Sequence, residues 1–213
     1  MIAPRPLPAG LVLAGGRASR LGGGDKPLRR LGGETILARI LGRLQPQCGP
    51  LALSANGDPA RFAAFGLPVL ADEGPAGQAG PLAGILSGLE WARRDTDAAS
   101  LVTVAGDTPF FPGDLVETLS AAVAGHPDRI AVAASGGRWH PVFALWPVSI
   151  ADDLRDFLSR SPTFSVAAFL QRHEAVTVTF AMIPSDASPV DPFFNINTRD
   201  DLAAAETIAG QFR

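Results

Sequence analysis

The chain has 213 residues, 46% of them hydrophobic and 18% charged, which is enough apolar material for a full core and too much for a disordered segment. Its 18 Lys+Arg against 21 Asp+Glu leave a formal charge of −3 with no basic run, which excludes the electrostatic footprint of sequence-independent nucleic-acid binding; an anionic ligand must be held by local groups. One cysteine, Cys48, excludes an internal disulfide and a cysteine-rich zinc site and points to a reducing, cytoplasmic setting.

From the N-terminus, MIAPRPLPAG places three prolines ahead of any apolar stretch, and no window reaches the roughly 18 apolar residues of a membrane span, so neither a signal peptide nor an anchor is expected. The first apolar run, Leu11 to Ala14, reads as a strand and ends in Gly15-Gly16. Ile36, Leu37, Ile40, Leu41 and Leu44 then share one helical face. A strand at 51–55 ends in Asn56-Gly57-Asp58-Pro59, and a short one covers 69–71. Leu82, Ile85, Leu86 and Leu89 mark a second helix, and 101–105 a further strand. Asp114, with Glu117 three residues on, predicts a capped helix carrying Leu115, Leu119 and Val123. Strands are expected over 130–134, 142–145 and 176–180, with two short helices near 147–171 and a last helix after a loop rich in Pro, Ser and Asp. The segment around Trp139-His140-Pro141 reads as irregular.

Continuous rather than alternating apolar runs suit strands covered on both faces. Alternated with helices they predict right-handed βαβ units in a three-layer α/β sandwich with a mostly parallel central sheet. No linker divides the chain, so one domain is expected over 1–213, with nucleotide-type loops in about 10–110 and an acceptor-binding part in about 111–200.

In open α/β sheets ligands collect where the carboxyl ends of the strands meet their loops. The loop after the first strand, from Gly15 to Lys26, carries five glycines with Arg17, Arg20 and Lys26. Glycines let backbone N–H groups approach phosphate oxygens, and Arg and Lys neutralise them; a flexible turn with solvated arginines is the bland alternative. Walker A fails, because Lys26 is followed by Pro27, and so does the dinucleotide fingerprint, because no glycine trio has its spacing ahead of a helix. Asp107, in Gly106-Asp107-Thr108-Pro109 at another strand end, is placed to hold Mg²⁺ bridging substrate phosphates or to cap a turn. Cys48 has no histidine near it in sequence and reads as a structural or surface thiol.

Five segments then carry a resemblance in order: Leu13-Ala14-Gly15-Gly16 with Arg20, Asp25-Lys26-Pro27-Leu28, Gly80-Pro81-Leu82-Ala83-Gly84, Gly106-Asp107-Thr108-Pro109 and Phe194-Asn195-Ile196-Asn197-Thr198. Over about residues 10–205 the chain resembles the molybdenum cofactor guanylyltransferases, nucleotidyltransferases of a Rossmann-like, glycosyltransferase-A-type fold. The resemblance implies transfer of GMP from GTP to Mo-molybdopterin with release of pyrophosphate, Mg²⁺ as cofactor, and molybdenum-cofactor insertion proteins or apo-molybdoenzyme chaperones as further partners. It implies that Leu13, Ala14, Gly15 and Gly16 lie against GTP, that Arg20 and Lys26 act at its phosphates, and that Asp72 and the Gly80 loop serve base and ribose. Asp107 is the implied Mg²⁺ ligand. Ser54 stands where many relatives carry Asn, with a shorter reach. Asn195 and Asn197 form either a cap turn or, Asn195 foremost, an amide ligand opposite Asp107. His140, in Trp139-His140-Pro141, resembles a His-Pro motif on the pterin side, with loop packing as the alternative. A cytidylyltransferase, a sugar-1-phosphate nucleotidyltransferase and a catalytically silent nucleotide-binding regulator share the Gly-rich loop and stay open.

Overall fold

A computed structural model describes residues 6–15, 25–72, 80–160, 164–185 and 188–211. Seven strands build the central sheet: β1 (Ala9–Leu13), β4 (Leu51–Ser54), β5 (Val69–Leu70), β6 (Ser100–Ala105), β7 (Ala131–Ser135), β8 (Arg138–Pro147) and β9 (Val176–Thr179). A two-stranded ribbon, β2 (Arg30–Leu31) with β3 (Glu34–Thr35), lies apart from it. The order across the sheet is β5-β4-β1-β6-β8-β7-β9; β8 runs antiparallel to both its neighbours and every other pairing is parallel.

Both faces of the sheet are covered, which is why its strands read as unbroken apolar runs. On β1, Val12 joins one core with Leu53 and Val104, under α1 (Ile36–Leu44), α3 (Leu115–Ala122) and α6 (Arg199–Gln211). Its neighbour Leu11 joins the opposite core with Ala52 and Leu101, under α2 (Gly80–Asp95), α4 (Ala151–Arg160) and α5 (Val166–Arg172). Successive side chains point to opposite faces of a strand, so each residue of Leu11-Val12 buries against a different helical layer. The expected three-layer sandwich is the one observed. Trp146, wholly buried on β8, satisfies its indole N–H on the Thr103 hydroxyl at 2.9 Å, and Thr103 donates in turn to the Val142 carbonyl at 2.7 Å.

Two local expectations are corrected. The strand expected over 142–145 runs from Arg138 to Pro147 and takes in Trp139-His140-Pro141. Proline is tolerated because the β7–β8 register shifts between Val132 and Ala134: Val132 faces Ala144 and Ala134 faces Trp139, so Pro141 sits opposite the irregularity, where it breaks no regular rung. Asp114 does occupy the N-cap position of α3, but its side chain caps nothing. The Val116 amide is capped instead by Gln47 Oε1 at 3.0 Å, from 69 residues upstream. Local capping chemistry does form at α1, where Thr35 accepts from Ala38, and at α6, where the Thr198 hydroxyl accepts from the Asp201 amide at 3.1 Å while Asp201 Oδ2 accepts from the Thr198 amide at 2.8 Å.

Candidate active site

The carboxyl ends of β4, β1 and β6 lie side by side, and their loops make the cleft. The Ala14 amide donates to the Ser54 carbonyl at 2.9 Å and the Gly106 amide to the Leu13 carbonyl at 3.0 Å, so the end of β1 is clasped between its neighbours. At Gly106 a Cβ would lie 2.8 Å from the Leu13 carbonyl oxygen and 3.0 Å from the Ala14 Cα, both backbone atoms that cannot step aside; only glycine permits this approach. The same Cβ would stand 3.3 Å from Pro27, the buried centre of the Lys26–Leu28 turn. The lysine turn therefore leans directly on the Gly106-Asp107 turn.

This packing delivers Lys26 Nζ to Asp107 Oδ2 at 2.8 Å and to Asn197 Oδ1 at 2.7 Å, joining groups 81 and 171 residues apart. The Lys26 side chain keeps 13% of its exposure and that of Asp107 23%, so both charges are largely withdrawn from water without being sealed off. The Asp107 carbonyl accepts from the Ile196 amide at 2.9 Å, which fixes the Asn195–Asn197 segment against β6. The Thr108 hydroxyl lies 3.1 Å from Asp107 Oδ1 and donates to the Asn195 amide oxygen. Asn195, favoured from the sequence as the amide facing the metal, accepts at that oxygen from Thr108, and Asn197 is the amide beside Lys26 and Asp107. Asp201 is held below the ordinary carboxylate range: burial opposes its charge, but the amides of Asn197 and Thr198 outweigh it, helped by the Thr198 side chain and the nearby Lys26 charge.

A second cluster lies where β4, β5 and α2 meet. Asp72 accepts from Ser54 Oγ at 3.2 Å and from Asn56 Nδ2 at 2.6 Å, and its amide donates to Asn56 Oδ1 at 3.0 Å. Gly84 makes room for it, since a Cβ there would lie 2.4 Å from Ser54 Oγ and 3.3 Å from Asp72 Oδ1. Ser54 is therefore turned to Asp72, and its short side chain lets α2 approach. Gly80, with φ of 51°, opens that helix. Gly15 is exposed just beyond β1, its nearest described neighbour for an added Cβ being the Ser54 carbonyl oxygen at 3.9 Å. Gly16 and Arg20 lie outside the described residues.

His140 stands at the same edge of the sheet, on the β7–β8 hairpin, in a third cluster. Its Nε2 is 2.6 Å from Ser135 Oγ, which donates to Asp191 Oδ1 at 2.7 Å, so Nε2 carries the proton that the serine oxygen accepts. The ring stacks on Phe193, with centroids 4.3 Å apart. Burial lowers the His140 pKa and Arg138 adds to the fall, while Asp191 acts in the opposite sense. Asp191 also accepts from the Phe193 amide at 2.9 Å, so the cluster anchors the start of the segment whose far end meets Lys26. Ser135 and Asp191 escaped the sequence reading; 56 residues separate them and no local pattern links them. Cys48 is buried, its thiol pushed up to about 12, and sits away from all three clusters against Gly10. Among the described residues no group of three or more His, Cys, Asp or Glu could hold a metal by itself, and no helix is long and apolar enough to cross a membrane.

The profile of the MobA-like NTP transferase domain matches residues 10–176. The molybdenum cofactor guanylyltransferase of Mesorhizobium japonicum is 57% identical over 197 residues, 92% of this chain and 93% of that protein; its namesake from Bradyrhizobium is 52% identical over 94% and 92%. The chain belongs to the molybdenum cofactor guanylyltransferase family. As a MobA-like nucleotidyltransferase it shares its fold with molybdopterin-guanine dinucleotide biosynthesis protein A of Archaeoglobus fulgidus (TM-score 0.70, 22% identity, 95% and 99% of the two chains). It is also similar in fold to 4-diphosphocytidyl-2C-methyl-D-erythritol synthase of Anaerococcus prevotii (TM-score 0.69, 11% identity, 96% of each chain). The second likeness shows that one sheet-and-helix scaffold is shared by proteins of different names, so the fold by itself does not state the substrate.

Proposed function

We propose that this MobA-like transferase joins the GMP part of GTP to the phosphate of Mo-molybdopterin, releasing pyrophosphate and forming the guanine dinucleotide cofactor. The observation that carries the reading is the meeting of Lys26, Asp107 and Asn197 at the carboxyl ends of β1 and β6, in a chain 57% identical to a guanylyltransferase. An acceptor phosphate oxygen attacks the α-phosphorus of GTP, the bond from that phosphorus to the bridging oxygen breaks, and pyrophosphate leaves. Such transfer asks little covalent work of the protein; it needs in-line positioning and fixed positive charge. Lys26 supplies the charge, and in this reading Arg20 adds to it. Leu13, Ala14, Gly15 and Gly16 bring backbone against the nucleotide, while Asp72, held by Ser54 and Asn56, faces base and ribose together with Gly80 at the start of α2, a helical turn rather than the loop expected from the sequence.

Mg²⁺ fits the residues present: the Asp107 carboxylate and the Asn197 amide oxygen, both bonded to one ammonium, are hard oxygen donors, and Mg²⁺ is usually bound by one or two carboxylates plus substrate phosphates. When bound there it would neutralise charge on the phosphates. Asn197 lies beside Asp107 through Lys26 and Asn195 through Thr108, and each amide oxygen keeps a second lone pair that could meet a cation. His140 belongs to the acceptor side, its ring fixed by Ser135 and Phe193.

Pyrophosphate release with Mg²⁺, Mo-molybdopterin and each of the four ribonucleoside triphosphates tests reaction, metal and base together. A guanine site must offer an acceptor to N1–H and N2 and a donor to O6, and each buried group that adenine leaves unpaired costs about 1–3 kcal/mol. GTP should exceed ATP by at least about 10²-fold in kcat/KM. Equal use of CTP would place the protein with the cytidylyltransferases, and tight GTP binding without turnover would mark a silent regulator.

A further inference from the structure

Arg61 belongs to neither the phosphate cluster nor the base cluster, yet its side chain reaches both. It is carried on a single 3₁₀ helix, Pro59–Phe65, whose first turn is fixed by Asp58 accepting from the Ala60 amide at 2.9 Å. On one side, Nη2 donates to the Asn56 carbonyl at 2.6 Å, and Asn56 is the residue whose amide group grips Asp72 at two points. On the other side, Nε lies 3.3 Å from Asp25 Oδ2, immediately before Lys26, in an ion pair where that buried N–H makes no hydrogen bond. Asp25 stands at the N-cap position of the lysine turn without capping it; the carboxylate is committed to Arg61 instead. The guanidinium also lies 4.8 Å from the centroid of the wholly buried Phe62 ring. Gly57, at φ of 88°, clears the way: a Cβ there would come within 2.9 Å of Arg61 Nη1.

An ion pair whose partners keep 25% and 32% of their side-chain exposure adds little to global stability. What a planar guanidinium with a hydrogen bond on one side and an ion pair on the other does supply is a tie between the two loops. We propose that Arg61 is a positioning residue that locks the Asp25-Lys26 turn to the Asn56-Asp72 loop, so that the phosphate and base ends of a nucleoside triphosphate are gripped at one set separation. The inference deepens the nucleotide-binding reading above and rests on it. Lysine would keep the charge but not the two separated arms of the guanidinium, so it replaces the fork only in part.

The test uses the full chain as wild type, Arg61→Ala, Arg61→Lys, Asp25→Asn and the Arg61→Ala/Asp25→Asn double variant. Nucleotide affinity is read by calorimetric titration with each of the four ribonucleoside triphosphates in Mg²⁺, beside pyrophosphate-release kinetics and melting temperature. For the nucleotide that wild type binds best, Arg61→Ala should raise Kd and KM about 10-fold while changing kcat less than about threefold, a loss of binding rather than of chemistry. The acceptor KM and the melting temperature should stay near wild type. Arg61→Lys should recover part of the loss, Asp25→Asn should reproduce it, and the double variant should be no worse than Arg61→Ala, as expected of two groups acting through one contact. A Kd within twofold of wild type, fully additive effects, or a lowered melting temperature without the KM-against-kcat split would overturn the proposal. If the favoured nucleotide is not GTP, the guanine reading falls and Arg61 is judged with that nucleotide; if wild type binds none, both fall.

Discussion

At the scale of single residues the site depends on one ammonium shared by two oxygens. Removing Asp107 takes away the carboxylate beside Lys26 and, in the proposed reaction, the ligand of the cation, so Asp107→Ala should lower turnover by several orders of magnitude, with the circular dichroism of the fold retained; near wild-type turnover would refute the assignment. In the proposed reaction Lys26→Ala removes a charge that acts on the nucleotide in both ground and transition states. It should reduce kcat/KM by about 10²-fold or more, roughly 3 kcal/mol, and unchanged kinetics at low and saturating GTP would show that the side chain plays no part.

At the scale of elements, two pairs of substitutions separate local appearance from packing. Asp114 looks like the cap of α3 but makes no cap bond, whereas Gln47 caps it from a distant segment. Gln47→Ala should therefore cost about 1 kcal/mol in denaturant unfolding, the usual worth of a cap, and Asp114→Ala much less; the reverse order would contradict the geometry. Gly84 and Gly15 flank the same cleft with opposite surroundings. A Cβ on Gly84 would collide with Ser54 Oγ at 2.4 Å, so Gly84→Ala should push α2 from the sheet, lowering stability by about 1–3 kcal/mol and disturbing Asp72. Gly15→Val meets no described atom closer than 3.9 Å to its Cβ, and should melt near wild type while weakening GTP use.

For the molecule as a whole, two half-buried histidines contribute to the acid limb of stability. Burial lowers the pKa of His140, and that of His173 beside Phe169, so the unfolded chain binds more protons than the folded one once pH drops below the ordinary histidine value of about 6.5. Stability should fall as pH goes from neutrality through that value, and His140→Gln should flatten the fall in a melting-temperature series. Asp201 acts in a lower window: its depressed pKa contributes stability above the ordinary carboxylate range that is lost on further acidification.

The sequence by itself determined the layered architecture and the family, because both are written locally. Strands buried on two faces must be continuously apolar, helices packed on a sheet must repeat at helical spacing, and the glycine-bearing loops follow directly on the strands that place them. It also named candidates: Lys26 as a cation in a glycine-rich loop, Asp107 as a carboxylate at a strand end, and Asp72 through the resemblance alone. Only the tertiary structure decided which groups meet: that Lys26 reaches Asn197 while Asn195 serves Thr108, that Gln47 rather than Asp114 caps α3, that Pro141 rests opposite a register shift, and that Ser135, His140 and Asp191 form one chain. These are distances of about 3 Å between residues far apart in sequence. They are set by how helices and loops pack on the sheet, and no periodicity along the chain encodes them.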